Sequence, residues 1–172
     1  MDQHELDEEL SAPGAQELLT GTAAAHLAYN GEDGTPRVVP VGFSWTGSQV
    51  VISTATTAPK VAALSARPDV AVSIDAGDTP GGARALSIRG RVTVEIVDGV
   101  VEEYLAAARI SMGPEAAAEF EQNVRGFYGQ MARLAITPTW ARFYDFGAGR
   151  VPHFLQELAE RAQAQNAPTA RT

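Results

Sequence analysis

The clearest alternation of apolar and polar side chains runs over Ala85–Ile96. Leu86, Ile88, Gly90, Val92, Val94 and Ile96 fall on one face, with Ser87, Arg89, Arg91, Thr93 and Glu95 on the other. That is the period of a strand with one face in a core. Shorter stretches read the same way: Ala23–Asn30, Arg37–Trp45, Gln49–Thr54, Asp69–Asp75 and Ala135–Phe146. "TGS" between the second and third of these is a tight turn, so they form a hairpin. "GEDGTP" (Gly31–Pro36) and "AGDTPGG" (Ala76–Gly82) carry turn and loop chemistry. Pro40 and Gly42 are out of place inside a strand. A strand proline belongs at an edge or a bulge, and a strand glycine marks close approach of another group.

Helical spacing appears elsewhere. "PGAQELLTG" (Pro13–Gly21) has Pro near its start and Gly at its end. A helix with Pro59 in its first turn places Val61 and Leu64 on one face, and Arg67-Pro68 ends it. Val101, Tyr104, Leu105 and Ala108 form a stripe. After Gly113-Pro114, Phe120, Val124, Phe127, Met131 and Leu134 form a second, and all these side chains read as core packing. "PHFLQELAERAQAQ" (Pro152–Gln165) is a C-terminal helix. Residues 1–12 read as a mobile acidic lead-in and 166–172 as a disordered tail. Residues 13–165 then form one mainly β, α+β domain of six strands with peripheral helices. Closing such a sheet into a small barrel removes its edges.

Composition narrows the chemistry. A chain of 172 residues suits one domain. Its net charge of −8 argues against a nucleic-acid partner. It has no cysteine, and His4, His26 and His153 are too scattered for a metal site. The acidic start is unlike a signal peptide, and no apolar run is long enough to span a bilayer. The expectation is a cytoplasmic protein without a membrane partner. Neither a GxSxG elbow nor a GxxxxGK[ST] phosphate loop occurs.

One segment stands out. The thirteen Lys and Arg residues include a single lysine, Lys60, in "STATTAPK". Ser53, Thr54, Thr56 and Thr57 place four hydroxyls at a strand end, and Lys60 opens the helix that follows. A helix dipole alone disfavours a cation at its N-terminus, whereas an anion held between the two reconciles them. A phosphate site therefore fits. An N-capping Thr beside an exposed lysine fits equally.

"GTPRVVPVGFSWTGSQVVISTATTAPKVAALSARPDVAVSID" (Gly34–Asp75) resembles the pyridoxamine-phosphate-oxidase-like flavin split-barrel superfamily. It is most like the actinobacterial branch of flavin- and deazaflavin-dependent oxidoreductases. The shared pattern is Gly34/Pro36, Ser53/Thr54, Lys60 and Pro68/Val70. "IRGRVTV" (Ile88–Val94) and "ITPTWARFYDF" (Ile136–Phe146) resemble later barrel strands, and the likeness spans most of residues 15–146.

The resemblance implies a six-stranded antiparallel split β-barrel, a homodimer with cofactor sites at the interface, and FMN or coenzyme F420 as cofactor. It makes Thr54, Thr56, Thr57 and Lys60 phosphate contacts, adds Ser53 to the cofactor-binding residues, and lays the flavin ring against Val39, Pro40, Val41 and Gly42. Trp140 or Arg142 would reach the ring from the partner. Arg89 and Arg91, with Arg37 and Arg84, would neutralise an acidic F420 tail. The chain departs from true pyridoxamine-phosphate oxidases. "TTAPK" lacks their adjacent Arg-Lys pair, and their basic C-terminal motif is missing, so production of pyridoxal phosphate is not expected. The expected function is an oxidoreductase passing hydride or electrons to a small organic substrate, without an identifiable catalytic side chain. The alternatives are a non-catalytic carrier of flavin, F420 or haem, and a barrel that has lost its cofactor and serves as a structural partner.

Overall fold

The computed structural model describes residues 1–22 and 24–166. Where the acidic sequence predicts a mobile lead-in, the chain forms α1 (Gln3–Ser11). The Asp2 side chain accepts from the Glu5 N–H, and the Glu5 side chain accepts from the Asp2 N–H, a reciprocal cap on the first turn. Leu6, Glu9 and Leu10 bury on one face of the helix. The other carboxylates of the charge run form its solvated side. α2 (Pro13–Gly21) follows as predicted, with Pro13 in its first turn and Leu18 and Leu19 buried.

The remaining elements are β1 (Ala24–Asn30), β2 (Pro36–Gly42), β3 (Ser44–Trp45), β4 (Val50–Ala55), α3 (Pro59–Ala66), β5 (Asp69–Ala76), β6 (Arg84–Asp98), α4 (Glu102–Ser111), α5 (Pro114–Phe127), β7 (Gln130–Asp145) and α6 (His153–Asn166). The strands make one antiparallel sheet in the order β2-β1-β5-β6-β7-β4-β3. This is the mainly β architecture of a split barrel, with seven strands in place of six and without a closing ladder. The expected tail over 166–172 lies outside the described residues after Asn166.

The extra strand comes from the stretch Arg37–Trp45, which does not stay in one ladder. Pro36–Gly42 pairs with β1, whereas Ser44 and Trp45 pair with Val51 and Val50 of β4. The chain crosses from one edge of the sheet to the other at Phe43, whose side chain is only 1% exposed. Pro40 produces no bulge, since β2 pairs with β1 in unbroken register from Ala24↔Gly42 to Asn30↔Pro36. Its edge position is enough to tolerate the missing donor. The irregularity lies instead between β6 and β7, where the register shifts at Arg89/Gly90. There a Cβ on Gly90 would come within 2.5 Å of the Thr137 carbonyl oxygen.

The second long helix ends sooner than its stripe suggested. α5 stops at Phe127, and Met131 and Leu134 belong to β7, both fully buried. From Met131 to Leu134 a helical spacing of three and a strand crossing between two cores bury the same positions. Met131 serves the small cluster under α4 and α5 with Val100, Val101, Leu105 and Val124, and Leu134 the main core. The alternation of β6 weakens at the same end, where Val94 is partly buried and Ile96 is exposed. The main core lies inside the curved sheet, with α1, α2 and α3 packed around it.

Candidate functional site

β2 and β4 part company beyond Phe43. Continuing the β3–β4 register back along the chain would set Gly42 against Ser53 and Pro40 against Ala55, but β2 pairs with β1 there. β4 from Ile52 to Ala55 pairs only with β7. Two strand edges thus face each other without a ladder, and backbone donors and acceptors along them are free to meet a ligand.

A cavity of about 370 Å³ sits at this opening. Pro40, Val41 and Gly42 line it from β2, Ile52, Ser53 and Thr54 from β4, and Lys60 from the first turn of α3. Six of the residues singled out in the sequence therefore meet in one place: Pro40, Val41, Gly42, Ser53, Thr54 and Lys60. Pro59 fixes the start of α3, and its N-cap, Ala58, caps without a side chain. The alternative of a threonine cap is not realised. Lys60 is half-buried and is the only charged residue lining the cavity.

Ser53 carries the strongest chemical signal. Its Oγ is buried and has no hydrogen-bond partner in the protein. A buried hydroxyl without a partner costs about 1–3 kcal/mol. A ligand oxygen beside Ser53 would remove that cost.

The other sequence candidates go elsewhere. Val39 packs against the main core, on the opposite face of β2 from Pro40. Thr56 and Thr57 lie in the turn after β4 and do not line the cavity. Arg89 lines a different opening, together with Arg37 and Val38, and its guanidinium is 4.4 Å from the centre of the Trp140 ring. Arg142 donates to Glu9 (2.9 Å). The cations considered for an acidic tail are also engaged: Arg37 with Asp33 (2.8 Å), Arg84 with Glu17 (2.5 Å) and Arg91 with Asp69 (3.0 Å). None of these arginines lines the Lys60 cavity.

In the remaining wall, the sequence pattern marks Tyr104, Ala108 and Phe120 only as core packing and does not single out Ala107 or Ser111. Tyr104, Ala107, Ala108 and Ser111 line the cavity from α4, and Phe120 from α5. The four α4 residues sit at i, i+3, i+4 and i+7, a single helical face. The signal available in the sequence was the size of its members, since one aromatic followed by three small residues leaves space. Tyr104 and Phe120 rings lie 5.6 Å apart, and Tyr128 is 6.2 Å from Tyr104. Burial, reinforced by Tyr128, raises the Tyr104 pKa, so its hydroxyl stays protonated at neutral pH. Arg133 of β7 fastens α4 by donating twice to Glu103, at 2.6 and 3.0 Å. Burial opposes ionisation of Glu103, but hydrogen bonds from Arg133 and the backbone prevail and hold its pKa below the usual glutamate range.

The arrangement suits a flat heteroaromatic ligand with one phosphate. Strand edges offer hydrogen bonds, α4 offers an apolar and aromatic side, and Lys60 offers one charge. The lining contains no carboxylate and no histidine. No group of metal ligands occurs among the described residues, and no described helix is long and apolar enough to cross a membrane.

Comparison with known proteins gives the family and the fold. The sequence profile of the family Pyridoxamine 5'-phosphate oxidase matches residues 12–143. A solved structure named F420 Reductase superposes with a TM-score of 0.58 at 27% identity, over 76% of this chain and 97% of that one. A FAD-binding protein from Mesorhizobium loti gives a TM-score of 0.51 at 20% identity, over 77% and 90% of the two chains. A heme binding protein from Mycobacterium smegmatis gives 0.53 at 21% identity, over 81% and 56%. The last two likenesses are of fold alone. No protein of curated function matches the sequence.

Proposed function

The chain belongs to the pyridoxamine 5'-phosphate oxidase family, and on that premise we propose that it is a flavin- or deazaflavin-dependent oxidoreductase. FMN or F420 binds in the cavity between β2 and β4, and hydride or electrons pass to a small organic acceptor. The active form is a homodimer acting in the cytoplasm. The observation that carries this reading is the buried, unpartnered Ser53 hydroxyl beside Lys60, between two unpaired strand edges. Such a site fits the polar rim and phosphate of a flavin.

The cofactor, once bound, supplies the redox chemistry itself. The protein's residues bind and orient. Lys60 neutralises the phosphate, Ser53 and Thr54 hydrogen-bond to it or to the chain that bears it, and Pro40–Gly42 offer backbone to the ring edge. Tyr104, Ala107, Ala108 and Phe120 exclude water from the ring face. Lys60 and Tyr104 are the only lining residues with an ionisable side chain, so acid–base help from the lining is limited to these two. Production of pyridoxal phosphate is outside this proposal, because the family's adjacent Arg-Lys pair is missing from "TTAPK".

The bareness of the lining favours one second reading, a carrier that holds a flavin or F420 without turnover. Haem fits less well, because none of the three histidines lines the cavity. Fluorescence titration with FMN and, separately, F420 tests binding. Steady-state assays of the loaded protein with reductants and acceptors then separate enzyme from carrier. Failure of both cofactors to bind overturns the proposal.

A further inference from the structure

We propose that α4 forms the ring-facing wall of the cofactor site: the cavity admits a flat ring against Ala107 and Ala108 and offers no counter-charge for an acidic tail beyond one phosphate. This rests on the flavin-type reading above and specifies its ligand.

Three observations carry it. First, α4 covers the opening where β2 and β4 separate, and its face of Tyr104, Ala107, Ala108 and Ser111 forms one side of the cavity. Larger residues at 107 or 108 would occupy the space a ring needs. Second, the charges of this hairpin are spent away from the cavity. Arg109 pairs with Glu121 (2.9 Å), Arg125 with Glu102 (2.7 Å) and Glu121 (2.8 Å), and Glu103 with Arg133 (2.6 Å). Third, Lys60 is the only lining cation, while Arg37, Arg84 and Arg91 are paired with carboxylates and Arg89 lies over Trp140. Each further carboxylate on a ligand would enter a protein of net charge −8 without a counter-charge beside it. Selection then acts on the ring through α4 and on the phosphate through Lys60.

The test uses the full chain with riboflavin, FMN and F420 species of short and long glutamate tails, read by fluorescence titration. Expected for the native protein are FMN affinity above that of riboflavin and F420 affinity independent of tail length. Ala108→Leu should weaken riboflavin, FMN and F420 alike by about tenfold or more, with ligand-free melting unchanged. Ser111→Arg adds a cation at an exposed position of the same face and should make affinity for F420 rise with tail length. That variant carries the test if Ala108→Leu does not fold. Native affinity that climbs with each glutamate overturns the proposal, as does native-like ring binding by Ala108→Leu. Failure of every ligand to bind the native protein is a different result, because it removes the flavin-type reading itself.

Discussion

Two parts of the molecule gather polar groups at the sheet, and they finish in opposite states. Where α1 meets β7, Glu9 is 6% exposed yet fully partnered. Its Oε1 accepts from Arg142 at 2.9 Å, and its Oε2 accepts from the Phe143 N–H at 2.7 Å and from Arg150 at 2.5 Å. In the cleft between β2 and β4, the Ser53 Oγ is buried without a partner, and Lys60 forms no ion pair among the described residues. Every described arginine, by contrast, is engaged with a carboxylate, a carbonyl or a ring. A saturated polar cluster holds a fold together. An unsatisfied one, kept at a cost in stability, is a place for a ligand. On the proposed function, the lone lysine of an arginine-rich chain belongs to the second kind.

The contrast can be broken experimentally, most forcefully at Glu9. Glu9→Ala should leave the Phe143 N–H and two guanidinium groups without their acceptor and cost about 3 kcal/mol of stability. Chemical denaturation measures this, and affinity for FMN or F420 should stay near native while the protein is folded. Lys60→Ala should do the reverse. It should lower cofactor affinity by about ten- to 150-fold, or roughly 1.5–3 kcal/mol, with stability changed by less than about 0.5 kcal/mol. Unchanged titration curves for every cofactor would remove Lys60 from the site. Ser53→Ala should lose about 1 kcal/mol of affinity, near fivefold, while apo-protein stability holds or rises because an orphaned hydroxyl is gone.

The smallest effect concerns pH at the wall of the cleft. Glu103 has a lowered pKa in the folded protein, so its contribution is complete above the usual glutamate range and is lost as pH falls through the folded value. Stability measured by urea midpoints from pH 6 to 3 should decline, and Glu103→Gln should flatten that decline. Equal slopes in both proteins would show that the Arg133–Glu103 contact does not fasten α4.

The sequence made Lys60 and the strand-end hydroxyls visible because their chemistry is local. A hydroxyl-rich strand end, a proline and a helix start lie within eight residues, and backbone geometry does the rest. The resemblance of Gly34–Asp75 to a known family added β2 to the expected site, and Pro40–Gly42 line the same cavity as Ser53. What stayed hidden depended on distant partners. The buried state of Glu9 needs Arg142 and Arg150, more than 130 positions away, so the acidic run around it reads as a mobile lead-in. Thr56 and Thr57 share the composition of Thr54 but sit past the end of the strand, where the turn carries them away from the cavity. Arg89 and Trp140 lie side by side across the β6–β7 ladder, and neither sequence position reveals that each is the other's partner. The end of α5 was misjudged because strand residues Met131 and Leu134 are buried at a spacing that also suits a helix.

The crossing of the chain at Phe43 also gives the cleft a mechanics. β2 and β3 are joined through one buried residue, so the gap between β2 and β4 resembles a pair of jaws pinned at one end. Sliding the two strands apart bodily would tear Phe43 out of the core, and each is also held along its other edge, β2 by β1 and β4 by β7, so the width of the opening is set by the sheet itself.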